Sequence, residues 1–245
     1  MEEIRVIYED PQFVAVYKPA GVLVHATHLT TKTLRLKTEE KTLVDWAVQR
    51  YPEIKNVGDE LIMRPGIVHR LDRQTSGVLV MARTQEFFEY LKKQFQAHEA
   101  KKTYIALVYG RVAERKGVID VPISIKAGSV KRTVRGGRMT KEAVTEYSVE
   151  KYFMRGRDVP EYFTLLRVHP KTGRTHQIRV HLASIGHPVV GDALYTKRKD
   201  PFGLGRQFLH AESLEFAMPD GRRMRVEAEL PNELQSVLQN LEPMY

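Results

Sequence analysis

The chain has 245 residues, 42% of them hydrophobic, which suits one large packed domain or two small ones, and no cysteine, which excludes disulfides, a thiol nucleophile and thiolate metal sites. Lys and Arg (39) outnumber Asp and Glu (30), giving a net charge of +9. No apolar stretch approaches the ~20 residues that span a bilayer, and the opening Met-Glu-Glu-Ile-Arg is too polar for a signal or transit peptide, so a soluble, cytoplasmic protein without a membrane partner is expected.

Ile4 to Tyr8 and Phe13 to Tyr17 read as short strands joined by the turn Glu9-Asp10-Pro11-Gln12. In Lys18-Pro19-Ala20-Gly21 the proline fixes φ and the glycine permits a turn, which points to a loop-shaping role. Residues 26 to 41, rich in Thr and Lys, read as an exposed excursion, and Thr42 as the N-cap of a helix to about Tyr51, stopped by Pro52, with Trp46 packed there. Between the apolar runs Ile67-Val68 and Val78 to Met81 lies a polar turn carrying one carboxylate, Asp72, flanked by Arg70 and Arg73 and followed by Thr75-Ser76-Gly77. Two cations beside one acid favour its ionised form, and at this level Asp72 is either a structural acid or a presented reactive one.

A helix is predicted from Thr84 to about Ala100, with Phe87, Phe88, Leu91 and Phe95 on its apolar face as core, not as a base-stacking platform. Strand signals then dominate from Thr103 to Arg111, Gly117 to Ser124, Glu142 to Tyr152 and Tyr162 to His169. A turn through Lys171-Thr172-Gly173 leads into a helix from about Thr175 to Ile185, stopped by Gly186 and Pro188. Two strands near Arg206 to Phe216 and Arg222 to Glu229 precede a last helix after Pro231. The pattern implies an α+β fold with a mixed, mostly antiparallel sheet and flanking helices.

The charge is unevenly spread. Between Glu161 and Asp192 there is no acid, while Arg167, Lys171, Arg174 and Arg179 are present; a second acid-free run from Pro122 to Lys141 holds six Lys and Arg and enough glycine to suggest a hairpin. Both runs could face phosphates or be ordinary solvated surface. Nine histidines invite a metal, but His176 and His181 are five apart with no acid between them, so no metal site is expected. Neither a dinucleotide fingerprint nor a phosphate-binding P-loop is present, and no cofactor is expected.

His69-Arg70-Leu71-Asp72-Arg73-Gln74-Thr75-Ser76-Gly77 resembles the catalytic motif of the RluA-type RNA pseudouridine synthases. The other pieces of that family's pattern occur in order. Val16 to Val24 resembles its first motif, Lys101 to Gly110 its tyrosine-bearing strand, and Lys171 to Leu182, continued by Gly186 to Asp192, its long third motif, with Phe208-Leu209-His210-Ala211 closing the set. The resemblance covers roughly residues 5 to 230. It departs at Thr196, after Tyr195, where many relatives have glycine, which touches only a loop conformation.

The resemblance implies a pseudouridine synthase fold with a central RNA-binding cleft, and an enzyme that isomerises uridines of ribosomal or transfer RNA. It implies Asp72 as the catalytic carboxylate, Arg179 as the cation in contact with it, and Tyr104 against the uracil ring. Arg70 is expected to fill the space of a flipped base, Arg174 to meet a phosphate, and Arg73, His176, Lys171 and Lys18 to join the RNA-binding set; His69 is expected to support the loop. One catalytic domain over residues 1–245 is expected, without the small N-terminal RNA-binding domain of some relatives, and a monomer.

Rival readings are a non-catalytic RNA-binding protein or chaperone on the same scaffold, and a glycosidic-bond hydrolase, which usually needs two carboxylates where only Asp72 lies in a motif. An aspartic protease needs its acid directly before Thr or Ser, and two residues intervene here.

Overall fold

The computed structural model describes residues 3–26, 41–129, 131–156 and 158–244. The expected excursion at 26 to 41 lies almost entirely outside the described residues. In chain order, β1 (Arg5–Glu9) and β2 (Phe13–Lys18) form an antiparallel pair closed by Asp10, whose carboxylate accepts the amides of Gln12 (2.7 Å) and Phe13 (3.0 Å). Helix α1 (Leu43–Arg50) starts at Thr42 with a reciprocal cap: Thr42 Oγ1 accepts the Asp45 amide, and the Asp45 carboxylate accepts the Thr42 amide. Its first amides, Leu43 and Val44, donate to the carbonyls of Leu23 and Val24, which fixes the loop after β2 to the helix. Trp46 is half-buried, edge-on to Tyr51.

β3 (Ser76–Ala82) pairs antiparallel with β2 from Phe13↔Ala82 to Lys18↔Gly77. Every residue of both strands is buried, which is why Val78 to Met81 reads as an unbroken apolar run instead of alternating. Helix α2 (Gln85–Gln96) is capped by Thr84 and buries Phe87, Phe88 and Leu91. It ends four residues before the expected Ala100, because His98 takes a left-handed φ of 60° that no sequence breaker announces.

β4 (Lys101–Tyr109), β5 (Lys116–Asp120), β6 (Ile123–Ile125), β7 (Arg132–Thr133) and β8 (Arg138–Lys141) follow. The run expected as a hairpin is a three-stranded sheet ordered β7-β6-β8, its last turn made by Gly136 and Gly137 at φ 62° and 157°. β9 (Val144–Arg155), β10 (Glu161–Pro170), α3 (Gln177–Ser184), β11 (Leu209–Ala217), β12 (Arg223–Glu227), α4 (Asn232–Gln239) and β13 (Glu242–Met244) complete the described elements.

The chain divides into two compact units. The first comprises residues 1–100 and 213–228; its core gathers Phe13, Phe87, Leu91, Leu214, Phe216 and Val226, with the Phe13 and Phe87 rings stacked at 5.1 Å and Phe216 edge-on to Phe13. The second comprises residues 101–212 and 229–245. Its sheet runs β4-β10-β9, all antiparallel, and β5 and β13 share the far edge of β9, β5 on Val144 to Ser148 and β13 on Tyr152 to Met154. Its core joins Leu107, Phe163, Leu166, Val168, Ile178 and Leu182 with Leu234 and Val237 of α4.

Candidate functional site

In the first unit the Asp72 turn is held from both sides and from below. Leu71, Thr75 and Ser76 are buried around the half-buried Asp72, and the Thr75 amide donates to the Asp72 carbonyl at 3.0 Å. Arg73 is clasped by Gly21 in both directions: the Gly21 amide donates to the Arg73 carbonyl (2.9 Å), and Arg73 Nε donates to the Gly21 carbonyl (3.0 Å). Gly21 has φ 89° with open space where a Cβ would sit, so the glycine serves conformation and not packing.

Lys18, expected among the RNA-contacting cations, is fully buried. Its ammonium donates to the carbonyls of Pro19 (2.8 Å), Val22 (2.9 Å) and Arg73 (3.1 Å). In that position it gathers the Lys-Pro-Ala-Gly turn and the residue after Asp72 around one charge. His69 accepts the Val80 amide at Nε2 (3.0 Å) and stacks on Phe95 at 4.9 Å, which ties the front of the turn to β3 and α2. Arg70 is exposed, 3.3 Å from His25 Nε2; burial, with Arg70 a lesser cause, lowers the His25 pKa and keeps that ring neutral.

In the second unit Arg179 is buried on α3 and forms a two-point pair with the buried Asp192, Nε to Oδ2 at 2.7 Å and Nη2 to Oδ1 at 2.8 Å. Asp192 Oδ1 also accepts the amides of Leu194 and Tyr195, so one carboxylate orients the arginine and shapes the following turn. The Arg179 guanidinium lies 5.2 Å from the Tyr195 ring centre. The Tyr195 hydroxyl meets His176 Nδ1 at 3.0 Å and accepts the Arg132 amide at 2.9 Å. Thr196 adopts no left-handed φ, and its amide donates to the Asp192 carbonyl.

The turn before α3 is organised by Gln177. Its Oε1 accepts the Thr172 hydroxyl (2.6 Å) and the Arg174 amide (2.9 Å), and its Nε2 donates to the Val144 carbonyl and Thr145 Oγ1. His176 takes the left-handed conformation, φ 58°, and the helix starts only at Gln177, two residues later than Thr175. Arg174 Nε donates to the Glu142 carbonyl at 2.9 Å, and Lys171 pairs with Glu146 at 2.8 Å. Tyr104 stands half-buried on β4, opposite Val168. Lys102, two residues earlier, donates to the Thr172 carbonyl at 3.0 Å, and burial together with the Arg174 charge lowers its pKa to about 8.

The structure thus brings together Lys18, Gly21 and Arg73 beside Asp72 in one unit, and His176, Arg179, Asp192 and Tyr195 in the other. Asp192, Tyr195, Gln177 and Lys102 had no role assigned from sequence. For Asp192 a partial signal was present: it is the first acid after an acid-free run holding four cations.

Residues 12–184 match the family described as RNA pseudouridylate synthase. An "Uncharacterized RNA pseudouridine synthase" of Chloroflexus aurantiacus is 42% identical over 92% of this chain and 65% of its own length. Ribosomal large subunit pseudouridine synthase D of Nitrosomonas europaea is 37% identical over 96% of this chain and 64% of its own. tRNA pseudouridine synthase C of Haemophilus ducreyi is 32% identical over 89% and 86%. The chain therefore spans less than two thirds of the first two of these relatives. Among solved structures, Human RNA Pseudouridylate Synthase Domain Containing 1 shares the fold with a TM-score of 0.75 at 24% identity, over 99% of this chain and 89% of that one. The chain belongs to the RNA pseudouridylate synthase family.

Proposed function

We propose that the protein isomerises uridines in structured RNA to pseudouridine, with Asp72 as the catalytic carboxylate. The observation that carries this reading is the His-Arg-Leu-Asp-x-x-Thr-Ser-Gly turn, which lies inside the family match and is pinned by Lys18 and Gly21 through its neighbour Arg73. The reaction breaks the bond from N1 to C1′, joins C5 to C1′, releases the C5 proton and protonates N1, so it involves no net redox change. Asp72 serves either as nucleophile at C1′ or as base toward the 2′ proton. Arg179 as the cation that favours ionised Asp72, and Tyr104 at the uracil ring and the C5 proton, are proposed on the motif resemblance. Ribosomal and transfer RNA are both proposed as substrates, since relatives at 37% and 32% identity carry those two names.

Arg70, Arg73, Arg174, His176 and Lys171 are proposed to contact RNA. No helix among the described residues is long and apolar enough to cross a membrane; a cytoplasmic monomer acting through a single catalytic domain is proposed. The test is pseudouridine mapping of total RNA from cells lacking the protein and from cells rescued with wild type or Asp72→Asn. One or a few sites should vanish in the deletion and return with wild type alone, and purified Asp72→Asn should lose turnover by more than about a hundredfold while retaining RNA binding. Unchanged turnover in that variant would remove Asp72 from the mechanism. RNA binding with no altered site would favour a binding protein.

A further inference from the structure

We infer that Lys102 and Arg174 form a phosphodiester-binding subsite for RNA, with Gly173 between them leaving room for the nucleic acid backbone to approach. This rests on the reading that RNA is the substrate. Lys102 reaches from β4 to the turn at 171–174, where its ammonium donates to the Thr172 carbonyl at 3.0 Å. A Cβ built on Gly173 would meet nothing nearer than that ammonium, at 4.0 Å, and Gly173 does not adopt a left-handed φ. Neither conformation nor internal packing demands glycine there. What the missing side chain leaves is open space beside a cation.

The two cations also lack a counter-charge. Among the described residues neither Lys102 nor Arg174 has a carboxylate within ion-pair distance, although their neighbours do: Lys171 pairs with Glu146, and Arg179 with Asp192. Arg174 spends Nε on the Glu142 carbonyl, and the Gln177 side chain fixes its amide, so its backbone is held while its remaining guanidinium donors face no protein acceptor among the described residues. Other charged or titratable groups on the elements packed there are the Lys171 and Glu146 pair, Glu142, and His169, whose ring meets Thr103. Two like charges brought together with no acid are costly unless an anion completes them, and a phosphate monoanion beside a guanidinium and an ammonium does so.

Binding is then linked to a proton. Burial and Arg174 hold the free Lys102 amine near a pKa of about 8. A bound phosphate favours the ammonium and raises that value, so affinity is greatest below the free pKa and falls as pH rises through and above it.

The experiment is a fluorescence-anisotropy titration of labelled oligocytidylate, whose bases do not ionise between neutral and mildly alkaline pH, repeated over a potassium chloride series. Lys102→Gln and Arg174→Gln should each make the slope of log affinity against log salt shallower by up to about 0.7, the share of one single-strand phosphate, and the double variant should lose no more than that one phosphate. Lys102→Arg should keep the neutral-pH slope and abolish the weakening that wild type shows when the pH is raised above about 8, an outcome that a merely structural lysine would not produce. A wild-type slope and affinity in Lys102→Gln would overturn the inference, as would alkaline weakening in Lys102→Arg equal to that of wild type. Inorganic phosphate that binds wild type but not Lys102→Gln in calorimetry, while leaving oligocytidylate binding unchanged against an ionic-strength-matched chloride control, would assign the cluster to free phosphate and overturn the RNA contact. Uridine isomerisation is read separately by the mapping experiment, so failure of either idea leaves the other distinguishable.

Discussion

Lys18 shows how far a single residue's role can depart from its type. A lysine at the end of an apolar strand is ordinarily surface, and nothing in Val16-Tyr17-Lys18-Pro19 announces burial. It is buried because three carbonyls from the turn after β2 and from Arg73 converge on one point, and an ammonium is the compact donor that can satisfy all three. Replacing it by methionine keeps the stem and removes the charge. The Arg73 carbonyl retains the Gly21 amide, whereas those of Pro19 and Val22 lose the ammonium. Lys18→Met should therefore cost about 1–3 kcal/mol, read as a fall of several degrees in Tm, and should depress turnover even well below that Tm, because the residue after Asp72 is released. Full activity in a stably folded Lys18→Met protein would show that the clasp does not position the acid. Asp192 is the converse case, where the residue type was informative: a buried arginine requires an anion, and the nearest acid along the chain supplies it.

At the scale of elements, strands were the most legible parts and ends of helices the least. The uninterrupted Val78-Leu79-Val80-Met81 and the Thr42 cap carry their structure in local chemistry. The starts and stops that sequence reading misplaced depend on histidines, His98 and His176, taking left-handed backbone without a glycine to mark it. At α3 the displacement has a compensating device. With His176 outside the helix and offering no side-chain cap, Gln177 at the first helical position joins the turn to β9 with two hydrogen bonds to each. Gln177→Leu preserves volume but strands the Arg174 amide and the Thr172 hydroxyl, so a loss of about 2–4 kcal/mol is expected in denaturant unfolding, together with weaker RNA binding as Arg174 loses its anchor. If the variant matched wild type in both measurements, the turn would have to be held by Lys102 and the backbone alone.

For the whole molecule, family motifs and element order agree with the observed α+β architecture, and two small units were among the readings the length allowed, but their bounds were not legible, since no linker or composition shift marks residue 100 or residue 213. Stability should depend on pH through His181, buried in the second unit. Its Nε2 lies 2.9 Å from the Val121 carbonyl and its Nδ1 2.9 Å from the Thr145 hydroxyl, a neutral-ring pattern, and burial lowers its pKa against the smaller opposing effects of Val121 and Asp120. A base with a depressed folded pKa contributes stability that is present above its unfolded pKa of about 6.5, and that is lost as the pH falls from there through the folded value, because the unfolded chain takes up the proton first. Unfolding free energy should fall between about pH 7 and 5 with a slope that His181→Gln reduces; an identical slope in the variant would place the pH dependence elsewhere.

The division of the chain has a further consequence for biosynthesis. The first unit takes Leu214, Phe216, Met218 and Val226 into its core, more than a hundred residues after its own Ala100, while the intervening segment folds into the other unit. A nascent chain leaving the ribosome therefore exposes the apolar faces of β2, β3 and α2 throughout the synthesis of residues 101–212, and cannot close that core until the hairpin of β11 and β12 emerges. Translation must pass residue 228 before the Asp72 turn gains the support of a complete core, so premature stalling between residues 101 and 212 yields a chain that holds the motif and lacks the fold, a substrate for chaperones and proteases rather than an early, partly active enzyme.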